Sequence, residues 1–155
     1  MASSHEVVGV VTPVAHRAGR GRHVRHTPVE DGALEAGLHV LACEDINDEV
    51  GQAFLRACKP DSLCVVEFGQ FLKQDTCGIA THGAFNLHAS ILPQLRGAGP
   101  IQWAILRGDD RTGVTTFELV DKMDAGPILR AEELMILPEE RANELRERLA
   151  DLACH

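Results

Sequence analysis

Residues 37–66 read GLHVLACEDINDEVGQAFLRACKPDSLCVV, and the change of rhythm inside this stretch decides the fold class. Gly37-Leu38-His39-Val40-Leu41 is a short apolar run of strand type. From Asp48 to Cys58 the apolar residues Val50, Ala53, Phe54 and Ala57 fall at helical spacing, and Lys59-Pro60-Asp61 closes the segment. Ser62-Leu63-Cys64-Val65-Val66 is a second apolar run without polar alternation, the pattern of a strand buried on both faces. Strand, helix and strand in succession predict a βαβ unit.

The same alternation continues outward. Val7-Val8-Gly9-Val10-Val11 reads as a buried strand ended by Thr12-Pro13. Past the central stretch, Thr81-His82-Gly83-Ala84 leads into Phe85-Asn86-Leu87-His88, which alternates apolar and polar. Pro93, Gly97, Gly99 and Pro100 precede a helix predicted over 101–106, and Gly108 to Gly113 reads as a turn. Strands are expected over 114–120 and 128–136. Pro138-Glu139-Glu140 is expected to open a last helix, with an apolar stripe of Ala142, Leu145, Leu149 and Leu152. The fold class expected is α/β, one domain, with a mainly parallel sheet.

Composition narrows the function. The chain has 155 residues, room for one real core. Five Phe, one Trp and no Tyr make a base-stacking nucleic-acid platform a poor fit, since such surfaces depend on aromatic rings. No apolar run approaches a membrane span, and the first residues carry no export signal. The five cysteines form no CxxC pair, which fits a reducing cytoplasm and argues against a disulfide framework or structural zinc. Cys43, Cys58 and Cys64 are expected as buried thiols.

The net charge of −8 is unevenly distributed. His16 to His26, HRAGRGRHVRH, holds Arg17, Arg20, Arg22 and Arg25 and no acid, which leaves 11 basic against 23 acidic residues elsewhere. An acidic body cannot bind polyanions generally, but such a loop can make local phosphate contacts through forked arginine donors. A merely solvated Arg/Gly loop accounts for the composition equally well.

Residues two apart in a strand share a face, so Asn86 and His88 point one way and Phe85 and Leu87 the other. They lie where the strand runs out, the end at which open α/β sheets bind ligands. An amide donor beside an imidazole can stabilise an oxyanion and move a proton. The pair could also serve only to cap a strand end. Asp124, in Lys122-Met123-Asp124-Ala125-Gly126, sits in a tight loop whose backbone approaches something closely, and its carboxylate would orient a nearby imidazole. An ordinary solvated turn aspartate is the alternative. There is no GxSxG elbow and no phosphate-binding glycine fingerprint, and His82 with His88 lacks a third metal ligand.

From Asn86 onward the chain reads NLHASILPQLRGAGPIQWAILRGDDRTGVTTFELVDKMDAGPIL. Asn86-x-His88, Ser90-Ile91-Leu92-Pro93, Arg96-Gly97-Ala98, Pro100-Ile101-Gln102, Thr112-Gly113-Val114-Thr115 and Met123-Asp124-x-Gly126, in this order, resemble the folate-dependent formyltransferases, most closely the branch that formylates methionyl-tRNA. The resemblance extends over nearly the whole chain. It implies a Rossmann-like formyltransferase fold, 10-formyltetrahydrofolate as formyl donor and no metal. It implies Asn86, His88 and Asp124 as the catalytic trio and Ser90, Ile91, Leu92 and Pro93 as the folate-contacting segment. The loop with Arg17, Arg20 and Arg22 resembles the one that approaches the tRNA acceptor end, so methionyl-tRNA is the acceptor implied, in support of translation initiation. Sugar-amine and purine-pathway members share the Asn-x-His core, which keeps a small amine open as acceptor, and a non-catalytic folate-binding paralogue is a third reading.

Three departures accompany the resemblance. Residues 1–155 correspond to a catalytic domain without the family's first strand and helix and without its C-terminal tRNA-binding barrel. An internal strand missing from the sheet would expose backbone edges and apolar surface, and a partner polypeptide supplying it is a further expectation. The family's Ala-Tyr-Gly after the third strand is Glu67-Phe68-Gly69 here, which puts a charge near the folate side.

Overall fold

The structure, a computed structural model, describes residues 5–14, 17–18, 23–24 and 26–154, with only the backbone described at 17–18 and 23–24. The chain divides into two compact units, Met1–Ser62 with Phe68–His82 and Leu63–Glu67 with Gly83–His155.

In the first unit β1 (Val10–Pro13) pairs in parallel with β4 (Val40–Cys43), and the short β2 (Arg17–Ala18) and β3 (His23–Val24) form an antiparallel ribbon. Helix α1 (Pro28–Glu35), absent from the sequence reading, is made by its ends. Thr27 Oγ1 accepts from Glu30 N at 3.1 Å, Pro28 opens the first turn, and Glu30 and Asp31 lie near the positive end of the helix. Its C-terminus explains why the second expected strand starts three residues late. Gly37, at φ 70°, and Leu38 are spent closing the helix, with Leu38 N donating to Ala33 O.

Helix α2 (Glu49–Cys58) starts where expected, with Asp48 Oδ1 accepting from Gly51 N at 2.7 Å. Its inward face is rotated from the expected stripe. Gly51 and Leu55 are buried and Phe54 is half-buried, whereas Val50, Ala53 and Ala57 are exposed. Gly51 is required there, because a Cβ would collide with the backbone oxygen of Ile46. A short helix, α3 (Gln74–Cys77), is tied to the loop before α2 through Asn47. Asn47 Oδ1 accepts from Lys73 N at 2.7 Å and Thr76 Oγ1 at 2.9 Å, and Asn47 Nδ2 donates to Phe71 O at 2.8 Å.

The second unit is a four-stranded sheet in the order β5 (Leu63–Val66), β6 (Ala84–His88), β7 (Arg111–Glu118), β8 (Ile128–Met135). β5 and β6 run parallel, whereas β6/β7 and β7/β8 are antiparallel. Parallel pairing therefore holds for β1/β4 and β5/β6, while antiparallel pairing dominates this sheet. Helix α4 (Pro100–Arg107) and helix α5 (Ala142–Ala153) share a core with β7: Ile101, Val114, Leu145 and Leu149 are all buried, with Leu87, Ile105 and Leu134 packed around them. Burying Leu145 and Leu149 contributes about 1.5–3 kcal/mol each.

The expected helix start at Pro138 is corrected to Ala142. Glu139 adopts φ 65°, which no α-helix accommodates, and the Glu140 carboxylate instead accepts from Leu137 N at 2.8 Å. Among the described residues β1 pairs only with β4 and β5 only with β6, so each is an edge of its own sheet. Val7, Val8 and Val66 are exposed beside these edges. All five cysteines are free. Cys43 is buried as expected, Cys58 is half-buried, and Cys64 is exposed, against expectation, because with Val66 it lies on the less covered face of β5, opposite Leu63 and Val65. No described helix is long and apolar enough to cross a membrane.

Candidate active site

Strand β6 is held on both sides, by β5 and β7, so its last residues have fixed positions before any side-chain contact is made. In the parallel β5/β6 register Val65 pairs with Asn86, and in the antiparallel β6/β7 register Thr115 pairs with His88. Val65 is apolar and offers the Asn86 amide no hydrogen-bonding side chain from β5. Among the described residues the Asn86 side chain makes no hydrogen bond, and it is half-buried near the strand end.

His88 is 8% exposed. Its Nε2 lies 2.8 Å from Leu95 O, and its Nδ1 lies 3.8 Å from Asp124 Oδ2. That second separation is too long for a direct hydrogen bond but short enough for a carboxylate to steady a charged ring. Asp124 is itself fixed, because its Oδ2 accepts from Gly97 N at 2.7 Å and its side chain is 12% exposed. Its backbone adopts φ 46°, a left-handed conformation that aspartate tolerates better than most residues. The close approach expected of this loop is found two residues on: a Cβ on Gly126 would collide with Glu118 O. His88 and Asp124 thus meet within one compact unit, carried by β6 and by the loop between β7 and β8, with Asn86 two residues before His88 on the same strand.

The segment 90–95 turns sharply over the strand end, through a cis Leu92–Pro93 bond and a positive φ at Leu95. Ser90 Oγ donates to Gln94 O at 2.6 Å, Thr115 Oγ1 donates to Ser90 O at 2.7 Å, and Leu92 N donates to Thr115 Oγ1 at 3.1 Å. Of the four residues expected to contact folate, Ser90 and Leu92 are buried, with Ser90 Oγ and Leu92 N committed within the protein. Ile91 is half-buried and Pro93 exposed, so these two offer apolar surface on the segment that follows His88.

Glu67 is not an unmatched charge. Arg146 Nη1, on α5, lies 2.9 Å from its Oε1 and 2.7 Å from its Oε2. Of the arginine loop, Arg17 lies in β2, where only its backbone is described, and Arg20 and Arg22 lie outside the described residues. His82, raised as a metal ligand, is exposed ahead of β6, and no cluster of three or more His, Cys, Asp or Glu suited to a metal occurs among the described residues. Burial, followed by the Asp48 and Asp45 carboxylates, pushes the Cys43 thiol above its ordinary value, which keeps it protonated and poorly nucleophilic. The reading from sequence named Thr115 and Gly97 within motifs but gave them no role, and it did not single out Leu95. Leu95 O and Gly97 N act through backbone atoms, and the role of Thr115 emerges from its hydrogen bonds to Ser90 O and Leu92 N.

The formyl transferase family profile matches residues 2–155. Curated relatives include a methionyl-tRNA formyltransferase of Thermobifida fusca, 45% identical over 97% of this chain and 48% of its own length. Another, of Stenotrophomonas maltophilia, is 42% identical over 97% of this chain and 49% of its own length. The chain thus spans about half the length of the curated relatives it matches. Among solved structures, a phosphoribosylglycinamide formyltransferase from Bacillus halodurans superposes with a TM-score of 0.78 at 21% identity, covering 96% of this chain and 75% of its own. At that identity the likeness speaks for the α/β Rossmann-like fold.

Proposed function

The chain belongs to the formyl transferase family, and from that premise we propose that it transfers a formyl group from 10-formyltetrahydrofolate to the α-amino group of methionyl-tRNA. The observation that carries the reading is His88 Nδ1 lying 3.8 Å from Asp124 Oδ2 near the end of β6, with Asn86 two residues before His88 on the same strand. The names of the curated relatives and the arginine-rich loop at 17–25 support methionyl-tRNA as acceptor.

In this reading the amine attacks the formyl carbon directly. The Asn86 amide donates to the oxygen that gains negative charge, and His88 moves the proton between the attacking and departing nitrogens. Asp124 orients the ring and stabilises it while charged. Ile91 and Pro93 give apolar surface to the donor, with the turn that carries them fixed from beneath by Thr115 and Ser90.

A formyl-transfer assay on the purified chain, with methionyl-tRNA set against free methionine and amino sugars, tests this. Formylation of methionyl-tRNA in preference to the small amines is expected. A preference for small amines would overturn the acceptor, and folate binding without turnover on any acceptor would overturn the enzymatic reading.

A further inference from the structure

We propose that Thr115 is a positioning residue that fixes the tautomer of His88, acting through the turn that presents Leu95 O. The proposal rests on the reading that His88 handles the transferred proton, and it adds which ring nitrogen does so.

A backbone carbonyl can only accept a hydrogen bond. With Leu95 O 2.8 Å from Nε2, the ring must carry its hydrogen there, and Nδ1 is left as the basic nitrogen. Nδ1 is also the nitrogen facing Asp124. A proton taken up at Nδ1 therefore arrives beside a carboxylate, while a proton on Nε2 is already engaged. In the transfer, the bond from the amine nitrogen to the formyl carbon forms and the bond from that carbon to the donor nitrogen breaks. One proton passes from the amine to Nδ1 and from Nδ1 to the departing nitrogen, with no change of oxidation state.

Leu95 O holds this position only if residues 90–95 keep their shape. Leu95 has φ 52°, a conformation leucine adopts rarely and only when its surroundings impose it. Thr115 is completely buried and directly opposite His88 in the β6/β7 register. Its one hydroxyl both donates to Ser90 O and accepts from Leu92 N, so it engages two backbone groups of the turn at once. Ser90 Oγ then closes the far side on Gln94 O, next to Leu95. Valine at 115 would match the shape of threonine but remove both bonds, leaving two buried backbone groups without partners.

Nitrogen NMR of the isotope-labelled full chain, with the His88 ring signals assigned by difference from His88→Gln, tests the proposal at a pH where the ring is neutral. The wild type is expected to show one tautomer, protonated at Nε2 and bare at Nδ1. Thr115→Val should give a mixture of the two neutral tautomers and a fall of about 10²-fold in kcat with KM little changed, the penalty of a slightly misplaced catalytic group. Thr115→Ser, which keeps the hydroxyl, should restore the single tautomer and most of the rate. Ser90→Ala, which loosens the same turn from its other side, should give partial mixing and serves if Thr115→Val fails to fold. A single Nε2-protonated tautomer in Thr115→Val, or in Ser90→Ala should Thr115→Val not fold, would overturn the proposal, as would Thr115→Ser behaving like valine. The tautomer is read without turnover, so an inert wild type with the expected ring signals would count against the formyl-transfer reading alone.

Discussion

Asp124 shows how much of the site rests on single atoms. Its carboxylate is held by Gly97 N at 2.7 Å, its backbone is left-handed, and two residues later the chain passes so close to Glu118 O that only glycine fits. Gly126→Ala should therefore destabilise the protein by about 2–4 kcal/mol, read as a lowered denaturant midpoint, and displace Asp124 enough to abolish activity. Asp124→Asn keeps the size of the side chain but removes its charge. It should melt like the wild type and lose about 10²-fold or more in rate, since the carboxylate charge beside Nδ1 at 3.8 Å is gone while the proton is in transit. Alternation put Asn86 and His88 on one face, but an ordinary turn aspartate fitted residue 124 equally well, and only the resemblance to formyltransferases implied that Asp124 joins His88. The groups that hold these side chains were not legible in the sequence. Leu95 O and Gly97 N are backbone atoms common to every residue type, and although Thr115 stands in a recognised motif, its place opposite His88 comes from the β6/β7 register, which no local pattern encodes.

Among the elements, those with a strong local signal were legible and those set by their ends were not. Helix α2 is readable over its full length because Asp48 caps it and Lys59-Pro60 stops it, yet its buried face is that of Gly51 and Leu55. Glycine carries no hydrophobic signal, so its contact with Ile46 was invisible. Helix α1 is marked by Thr27-Pro28 and its first-turn acids rather than by an apolar stripe. In α5 the sequence shows the stripe but misplaces the start, because Glu140 serves the preceding turn. Desolvation opposes the charge of Glu140, but the bond from Arg148, the Leu137 N–H and the Arg148 charge together hold its carboxyl below the usual range. A depressed carboxylate stabilises the fold above its unfolded pKa, and that contribution is lost as pH falls through the folded value. Glu140→Gln should thus cost about 1 kcal/mol at neutral pH, a figure kept small because Arg148 is a third exposed, and almost nothing in acid. Urea titrations at the two pH values check this. Asn47→Ala, which frees Lys73 N, Thr76 Oγ1 and Phe71 O together, should cost about 1–3 kcal/mol in the same measurement.

For the molecule as a whole, charge placement decides how an acidic chain could handle RNA. A net charge of −8 with four arginines gathered between residues 17 and 25 allows contact with a few phosphates at one place and repulsion elsewhere. The salt dependence of methionyl-tRNA binding should therefore be shallow, with a logarithmic slope no steeper than about −3 for four contacts to a single strand. Arg20→Ala should weaken binding and reduce that slope, whereas a steeper slope unaffected by Arg20→Ala would remove the loop from the account. The alternation of strand and helix made the α/β class readable from residues 37–66. The division of pairings between parallel and antiparallel was not readable, because it depends on how β7 returns beside β6 after α4. The central claim is that His88 carries the proton during formyl transfer, and the most direct measurement is the single-turnover rate of formylation of methionyl-tRNA by wild type and His88→Ala at equal, saturating 10-formyltetrahydrofolate. A wild-type rate at least about 10²-fold above that of the variant is expected; equal rates in the two proteins would contradict a role for His88 in moving the proton.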